Sequence, residues 1–189
     1  MNTQPMRLTL PLTEASVARV RAGDHVLLDG MIYVARDAAH KRLVAALAAG
    51  ESLPFDPAGQ VIYYMGPSPA RPGLPIGSAG PTTSYRIDPY TEPLLRVGIK
   101  GLIGKGQRGK EVRRALCAYR ALYLVAIGGA GALIARSIRQ ARVLAYPELG
   151  PEALRQLDVV DFPAIVGHDI YGNDVYQAGR AQYRREFCS

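Results

Sequence analysis

Three positive charges stand where an apolar segment gives way to a turn or to a helix. Arg36 follows the apolar residues 25–35, Arg86 lies in a loop rich in glycine and proline, and Lys105 stands between two glycines. An arginine presents a planar fork that suits a carboxylate or a phosphate, whereas a lysine acts as a point charge. These residue types predict a site for a small polyanion, for which a dicarboxylate is one candidate.

Hydroxyl groups accompany one of these charges. The loop at 77–88 reads GSAGPTTSYRID, so Thr82 and Thr83 shortly precede Arg86. A threonine hydroxyl can donate or accept a hydrogen bond to a nearby ligand, and glycine and proline indicate a loop. On composition alone, the segment can be interpreted either as a plain connecting turn or as a binding loop.

The sequence around Arg36 has the pattern of a strand that runs into a helix. Asp37 is a plausible N-cap for that helix, and His40 lies one helical turn further on. Backbone N–H groups at a helix N-terminus attract anions, which favours a binding role for Arg36. The alternative is that Asp37 is only a cap and His40 a surface residue.

Two glycine-rich stretches resemble phosphate-binding motifs without completing them. GLIGKGQRGK at 101–110 lacks the G-x-x-x-x-G-K-[ST] spacing, and Ile134 replaces the last glycine of a dinucleotide motif. The basic residues 105–114 could contact nucleic acid, but no aromatic residues interleave with them and Glu111 interrupts them. An amphipathic helix with a solvated face is the favoured interpretation, and no nucleic-acid partner is predicted.

Hydrophobic periodicity predicts strands that alternate with helices along much of the chain. Strands are predicted at 7–12, 25–35 with a turn at Asp29-Gly30, 60–66, 99–106, 121–127 and 142–146, and two more around an Asn/Gly turn within 161–176. Helices are predicted at 13–23 with Thr13 as N-cap, at 36–50, at 109–120 and from 128 onward, and a long irregular region at 66–90. This alternation predicts an α/β fold with a mixed sheet, organised as a single domain over residues 1–189.

The composition restricts the class of protein. The chain has 189 residues, of which 48% are hydrophobic and 21% charged, and a net charge of +7 that attracts anions. Its cysteines, Cys117 and Cys188, form neither a disulfide framework nor a metal-ligand cluster, so no metal ligands are predicted in this chain. No apolar run reaches the roughly 18–20 residues of a membrane span, and no secretory signal is recognised, so a cytoplasmic protein without membrane contact is expected.

Several motifs, in one order and spacing, resemble a known family. The chain is similar, from about residue 7 to about residue 178, to the β subunit or C-terminal domain of class I fumarases and L-tartrate dehydratases. The motifs are VARDAAHKRL (34–43), LPFDPAGQVIYYMGPSPARPG (53–73), GPTTSYRID (80–88), GIKGLIGKG (98–106) and VDFPAIV (160–166).

The resemblance implies a swivelling β/β/α domain with a mixed central sheet. It also implies a hydro-lyase that hydrates fumarate to L-malate, with L(+)-tartrate as the alternative substrate. In this family three cysteines of a partner α chain hold a [4Fe–4S] cluster, so the β chain would bind no cluster itself. The implied assembly is αβ or α₂β₂, in which the β chain binds the substrate carboxylates and completes the active site.

The family's motifs also imply roles for individual residues of this chain. Arg36, Arg86 and Lys105 resemble the carboxylate-binding cations, Thr82 the catalytic base, and Asp37, His40 and Thr83 the supporting residues. Tyr85 stands where many relatives have glycine. Two other interpretations remain open: a non-catalytic anion-binding module of the same fold, and a nucleic-acid-binding protein suggested only by the basic charge.

Overall fold

Seven strands form one mixed sheet in the computed structural model, which describes residues 4–184. They are β1 (Met6–Thr9), β2 (His25–Val34), β3 (Val61–Tyr63), β4 (Gly101–Gly104), β5 (Leu122–Val125), β6 (Ile138–Ala145) and β7 (Leu154–His168). Strands β1 to β5 are parallel neighbours in chain order, and β7 runs antiparallel to β2, β5 and β6. The prediction of an α/β fold with a mixed sheet is therefore confirmed.

Strand β7 closes the sheet on itself. Its residue Ile165 pairs with His25 of β2 on one side and with Val125 of β5 on the other. Strands β2 to β5 and β7 consequently form a ring, and β6 lies outside it, paired only with the first half of β7. Closure removes the unpaired edges that β2 and β5 would otherwise expose.

Helices cover the sheet and connect its strands. They are α1 (Glu14–Ala18), α2 (Asp37–Ala48), α3 (Asp88–Arg96), α4 (Lys110–Ala118), α5 (Gly131–Ala135) and α6 (Val175–Tyr183), with 3₁₀ helices at Ser84–Ile87 and Pro147–Glu152. Thr13 is the N-cap of α1, as predicted: it forms a reciprocal capping box with Ser16, with hydrogen bonds of 2.8 and 3.1 Å.

Alternation along the strands divides the apolar residues between two cores. In β3, Val61 and Tyr63 belong to the core inside the ring, where Phe162 of β7 packs edge-on against Tyr63. Ile62 points the other way, into the core that the sheet shares with helices α2, α3 and α4. Side chains that point alternately to opposite faces explain why β3 is buried along its whole length.

The parallel order sets the position of the functional loops. The carboxyl ends of β2, β3, β4 and β5 lie side by side, since each strand pairs in parallel with the next. In open or closed α/β sheets the loops at this edge are where ligands bind. Arg36 follows β2 and Lys105 follows β4, so both predicted cations lie at the same edge.

Three predictions of local structure are wrong. The turn at Asp29-Gly30 is a bulge inside the continuous strand β2, made possible by the positive φ of Gly30. The second of the two strands predicted within 161–176 is the start of helix α6, whose N-cap Asp174 accepts hydrogen bonds from two helical N–H groups. The region 66–90 is only partly irregular, because the 3₁₀ helix Ser84–Ile87 and helix α3 begin inside it.

Candidate functional site

The loop that contains Thr82 extends the sheet beyond the carboxyl ends of β3 and β4. Thr82 N donates to Tyr64 O at 2.7 Å, Lys105 N donates to Thr82 O at 3.3 Å, and Ser84 N donates to Lys105 O at 3.0 Å. The loop is therefore held between two strand ends by backbone hydrogen bonds. Among the described residues, Thr82 forms hydrogen bonds only through its backbone, so its half-buried hydroxyl is not committed to another protein group.

Lys105 presents its charge at this edge without a protein counter-ion. Its side chain runs along the backbone after β5, since a methyl group at Gly128 would lie 3.8 Å from Lys105 Nζ. No carboxylate of the described residues lies within 4.0 Å of its ammonium group. Thr83 lies beside the same turn, bridged to Lys105 across the extended sheet.

Arg86 reaches the start of helix α2. It lies in the 3₁₀ helix after Thr82, and its Nη2 is 3.4 Å from Asp37 Oδ2. Both side chains are substantially exposed, so the pair is loose and solvated. Asp37 is the first residue of α2 and not its N-cap, a position that Arg36 occupies without a side-chain cap bond. The N-cap prediction for Asp37 is thus wrong, although Asp37 does contact a predicted site residue.

Arg36 lies between helix α2 and the loop after β3. Its Nη2 is 3.4 Å from Glu152 Oε1, and Glu152 Oε2 accepts a hydrogen bond of 2.9 Å from Ala38 N. The carboxylate at the N-terminus of α2 is thus supplied by Glu152, a residue that sequence reasoning did not identify. A methyl group at Gly66 would lie only 2.8 Å from Arg36 Nη1, so a glycine there makes room for the guanidinium.

His40 is completely buried beneath Arg36, which excludes the alternative that it is a surface residue. Its Nδ1 lies 2.9 Å from Arg36 O, and its ring meets Tyr64 edge-on at 5.2 Å. Burial lowers the pKa of His40 to about 4, against a smaller opposing effect of the hydrogen bond to Arg36. A neutral imidazole therefore supports the backbone from which Arg36 projects.

A buried polar layer lies directly below the Thr82 loop. Ser84 Oγ is 2.9 Å from Tyr123 OH, which donates to Gly106 O at 2.7 Å. Burial raises the pKa of Tyr123, so its phenol stays protonated and able to donate. A methyl group at Gly104 would lie 1.9 Å from Ser84 Oγ, so this layer requires glycine at that strand end.

Arg108 and Asp88 form another part of this polar layer. The sequence motifs did not identify either residue as a site residue. Arg108 Nε donates to Asp88 Oδ1 at 2.7 Å, and the arginine side chain is 0% exposed. Both residues belong to motifs quoted above, GPTTSYRID and the basic stretch after Lys105, but a charged residue in a loop gives no sign that it will be buried. Only the placement of α3 against α4 reveals their contact.

The structure thus places the predicted residues at one edge of the sheet in three groups of contacts. Thr82 and Thr83 pair with the Lys105 strand end, Arg86 contacts Asp37, and His40 supports Arg36. Positive charges that are unpaired or only loosely paired at 3.4 Å, together with an uncommitted hydroxyl, suit the binding of a small dicarboxylate.

The described residues do not offer the ligands of an iron–sulfur cluster. Such clusters are held by several cysteine thiolates, whereas residues 4–184 include only Cys117, on helix α4, and Cys188 lies outside them. In that part of the chain no group of three His, Cys, Asp or Glu side chains could hold a metal ion. Within the same residues, none of the helices has both the length and the apolar character needed to cross a membrane.

Comparison with known proteins agrees with the motifs. The family model described as Fumarase C-terminus matches residues 1–179. Fumarate hydratase 2 of Leishmania major is 41% identical over 82% of this chain, but the match spans only 28% of that relative. The anaerobic class I fumarate hydratase of Escherichia coli is 38% identical over 90% of this chain and 32% of its own length.

A further relative has about the same length as this chain. The putative L(+)-tartrate dehydratase subunit beta of Methanocaldococcus jannaschii is 38% identical over 88% of both chains. The chain therefore spans about a third or less of the two fumarate hydratases named above and nearly all of this subunit. These matches confirm the resemblance that the sequence motifs indicated.

Proposed function

Because this chain belongs to the Fumarase C-terminus family, we propose that it is the β-type half of a hydro-lyase that reversibly hydrates fumarate to L-malate. The observation that carries the proposal is the group of cations Arg36, Arg86 and Lys105 at one sheet edge, with the uncommitted hydroxyl of Thr82 among them. A four-carbon dicarboxylate carries two negative charges, which such a set of cations can hold in one orientation.

The cations divide into two groups that suit the two ends of a dicarboxylate. Arg36 is the N-cap of α2, and the side chain of Arg86 reaches the start of the same helix; the two arginines are only loosely paired with Glu152 and Asp37 at 3.4 Å. Lys105 lies across the Thr82 loop and has no protein counter-ion within the described residues. We assign one carboxylate to the arginines and the other to the lysine, which sets the carbon between them beside Thr82.

Thr82 takes the role of catalytic base in this proposal. In the dehydration direction its hydroxyl oxygen would accept the proton from the carbon next to the one that loses hydroxide. A threonine hydroxyl is a weak base at its ordinary pKa and needs activation by its surroundings. We assign this activation to Lys105, whose backbone N–H donates to Thr82 O at 3.3 Å, because a positive charge near the hydroxyl would stabilise its deprotonated form.

The proposal requires a partner chain. The cysteines of this chain do not form a cluster site, so we assign the [4Fe–4S] cluster of the family to an α chain, in an αβ or α₂β₂ assembly. The relative of similar length is itself named a β subunit, which supports a partner of this kind. We further propose that residues 1–189 act as one swivelling β/β/α domain that closes over the partner, in the cytoplasm.

L(+)-tartrate is the second candidate substrate. The observation in its favour is that the relative named as a tartrate dehydratase subunit matches this chain over 88% of both lengths. Tartrate is also a four-carbon dicarboxylate with a hydroxyl on the carbon next to a carboxylate. The same three cations can therefore bind it.

A substrate panel tests the proposal. The full chain is combined anaerobically with a cysteine-rich α chain whose cluster has been reconstituted, and each protein is also assayed alone. We expect hydration of fumarate and dehydration of L-malate only by the combined chains, and a higher rate with L(+)-tartrate would select the second candidate. If a cluster-loaded pair that forms a stable complex turned over none of the three acids, the hydro-lyase proposal would be wrong.

A further inference from the structure

Arg108 is a fully buried charge just below the candidate site. It lies in the turn between Lys105 and helix α4, and its side chain is 0% exposed. All three guanidinium nitrogens make hydrogen bonds: Nε to Asp88 Oδ1 at 2.7 Å, Nη2 to Thr91 Oγ1 at 2.6 Å, and Nη1 to Tyr64 OH at 3.2 Å. Three of the five N–H donors of the arginine are thus engaged, one on each guanidinium nitrogen.

Asp88 connects this arginine to the segment that carries Thr82 and Arg86. It is the first residue of α3, directly after the 3₁₀ helix that holds Arg86. Its second oxygen, Oδ2, accepts a hydrogen bond of 2.7 Å from Gly109 N, where α4 begins. One carboxylate therefore binds both the side chain of Arg108 and the backbone of the next residue.

The cost of burial argues that this pair has a role beyond stability. Removing the Arg108 charge from water costs several kcal/mol, and Asp88, which is 19% exposed, is partly desolvated as well. A well-packed apolar pair of the same volume is often as stable or more stable. Burial lowers the pKa of Arg108, but the electrostatic effects of Tyr64 and Asp88 outweigh it, and the pKa lies above its ordinary value. The guanidinium is thus charged in an interior where apolar side chains would suffice for packing.

The Asp88–Arg108 pair is the second of two connections between residues 84–88 and residues 105–109. At one point, Ser84 N binds Lys105 O at 3.0 Å. At the other, Asp88 binds Arg108 and Gly109. Residues 84–88 and 105–109 are consequently held together at both ends, which fixes Arg86 and the preceding Thr82 relative to Lys105.

We propose that the ion pair between the half-buried Asp88 and the buried Arg108 is a positioning device that sets the separation between the Thr82–Arg86 segment and Lys105. It touches no substrate and acts through the two segments that it joins. The inference rests on the proposed function of that site. Misplacement of reacting groups by about 1 Å can lower a rate about 10²-fold, which sets the expected effect of losing the pair.

The test must separate positioning from stability. In R108M the carboxylate of Asp88 loses its charged partner, which destabilises the fold, whereas D88N/R108M removes both charges and restores most of the lost stability. If the pair acts only through stability, kcat of the double variant returns with its Tm. Positioning predicts that kcat of the reconstituted αβ complex stays about 10²-fold below wild type in both variants, with a smaller change in KM.

Two further variants complete the design. R108K retains the charge but cannot make three hydrogen bonds in one plane, so we expect it to recover part of kcat. R113M is the matched control, since it removes the Arg113–Asp174 ion pair of 3.2 Å between α4 and the α6 N-cap. Arg113→Met should lower Tm without changing kcat.

A readout independent of catalysis keeps the inference separate from the proposed function. Native-state hydrogen exchange of the full chain should show faster exchange at the amides of Ser84, Lys105 and Gly109 in D88N/R108M, with β2 and β7 unchanged. Wild-type exchange at these amides would overturn the inference, even if the αβ complex is active. An inactive wild-type complex combined with the expected exchange pattern would instead overturn the proposed substrate and leave the positioning device in place.

Discussion

The two ends of strand β4 each carry a lysine, and the surroundings of the two lysines differ. Lys100 precedes the strand, and its Nζ lies 2.5 Å from Glu14 Oε1 and 2.7 Å from Tyr119 O. Lys105 follows the strand and has no carboxylate within 4.0 Å among residues 4–184. The same residue type is neutralised by the protein at one end and left available to a ligand at the other.

Cations near the other parallel strands show the same difference between the amino and the carboxyl end of the sheet. Arg120, just before β5, binds the second oxygen of Glu14 at 2.5 Å, so one carboxylate serves two cations at the amino end. At the carboxyl end, Arg36 and Arg86 lie 3.4 Å from their nearest carboxylates. Cations that are loosely paired keep hydrogen-bonding capacity for a ligand, which is why the carboxyl end is the candidate site.

The largest expected effect comes from removing the hydroxyl at the carboxyl end. Thr82→Val keeps the shape of the side chain and should lower kcat by about 10²–10⁴-fold, the usual contribution of a positioned acid or base. Thr82→Ser, which keeps a hydroxyl, should retain most of the activity. Steady-state assays of the αβ complex measure both.

The same exchange at the amino end is the control. Thr13→Val removes the N-cap of α1, which should cost about 1 kcal/mol of stability and leave kcat unchanged. An equal loss of kcat in T13V and T82V would contradict the assignment of chemistry to one end of the sheet.

The next effect concerns stability and pH. The pKa of His40 in the folded chain is about 4, below its ordinary value of 6.5, so protonation favours unfolding. The stability that neutral His40 contributes is complete above pH 6.5 and is lost as the pH falls towards 4. Each pKa unit corresponds to about 1.4 kcal/mol, so about 3 kcal/mol of unfolding free energy is expected to disappear over this range.

Urea denaturation at several pH values compares the wild type with two variants. In H40Q this part of the pH dependence should vanish, so the stability difference between wild type and H40Q should shrink as the pH falls. His25, exposed at the amino end of β2, provides the control variant H25Q. A constant difference between wild type and H40Q from pH 7 to 4 would show that the burial of His40 has no such effect.

The lysine pair tests the comparison directly. Lys105→Ala removes a charge-assisted contact worth about 1.5–3 kcal/mol, which corresponds to a rise of about 10–10²-fold in the KM for the dicarboxylate. Lys100→Ala removes a partly exposed ion pair and should lower stability by at most about 1 kcal/mol, with KM unchanged. If K100A and K105A raised KM equally, the two ends would not differ in function.

The smallest expected effect concerns the glycines at the two ends of β4. Gly104→Ala would place a methyl group 1.9 Å from Ser84 Oγ, and Gly101→Ala would place one 2.7 Å from Val61 Cγ2. Both changes should cost about 1–3 kcal/mol, as overpacking does. Only G104A should also lower kcat, because it displaces the Thr82 loop, and S84G should recover part of the loss in the double variant.

Much of the fold and part of the site could be predicted from local patterns. Apolar alternation indicated β2, β4 and β5, and a loop after each parallel strand placed Arg36 and Lys105 at one edge. The burial of His40 and the contact of Asp88 with Arg108 could not be predicted in this way. The latter joins residues 20 positions apart, through the packing of α3 and α4.

The order of residues along the chain is enough to show which residue types are available and where an element such as α1 begins. Thr13 caps α1 through Ser16, three residues away, because capping depends only on neighbours in the chain. The tertiary structure decided which cations remain available to a ligand. Lys100 is neutralised by Glu14, 86 residues away, and Lys105 has no such partner within the described residues. Pairing of charges depends on distance in space, which the order of residues alone does not express.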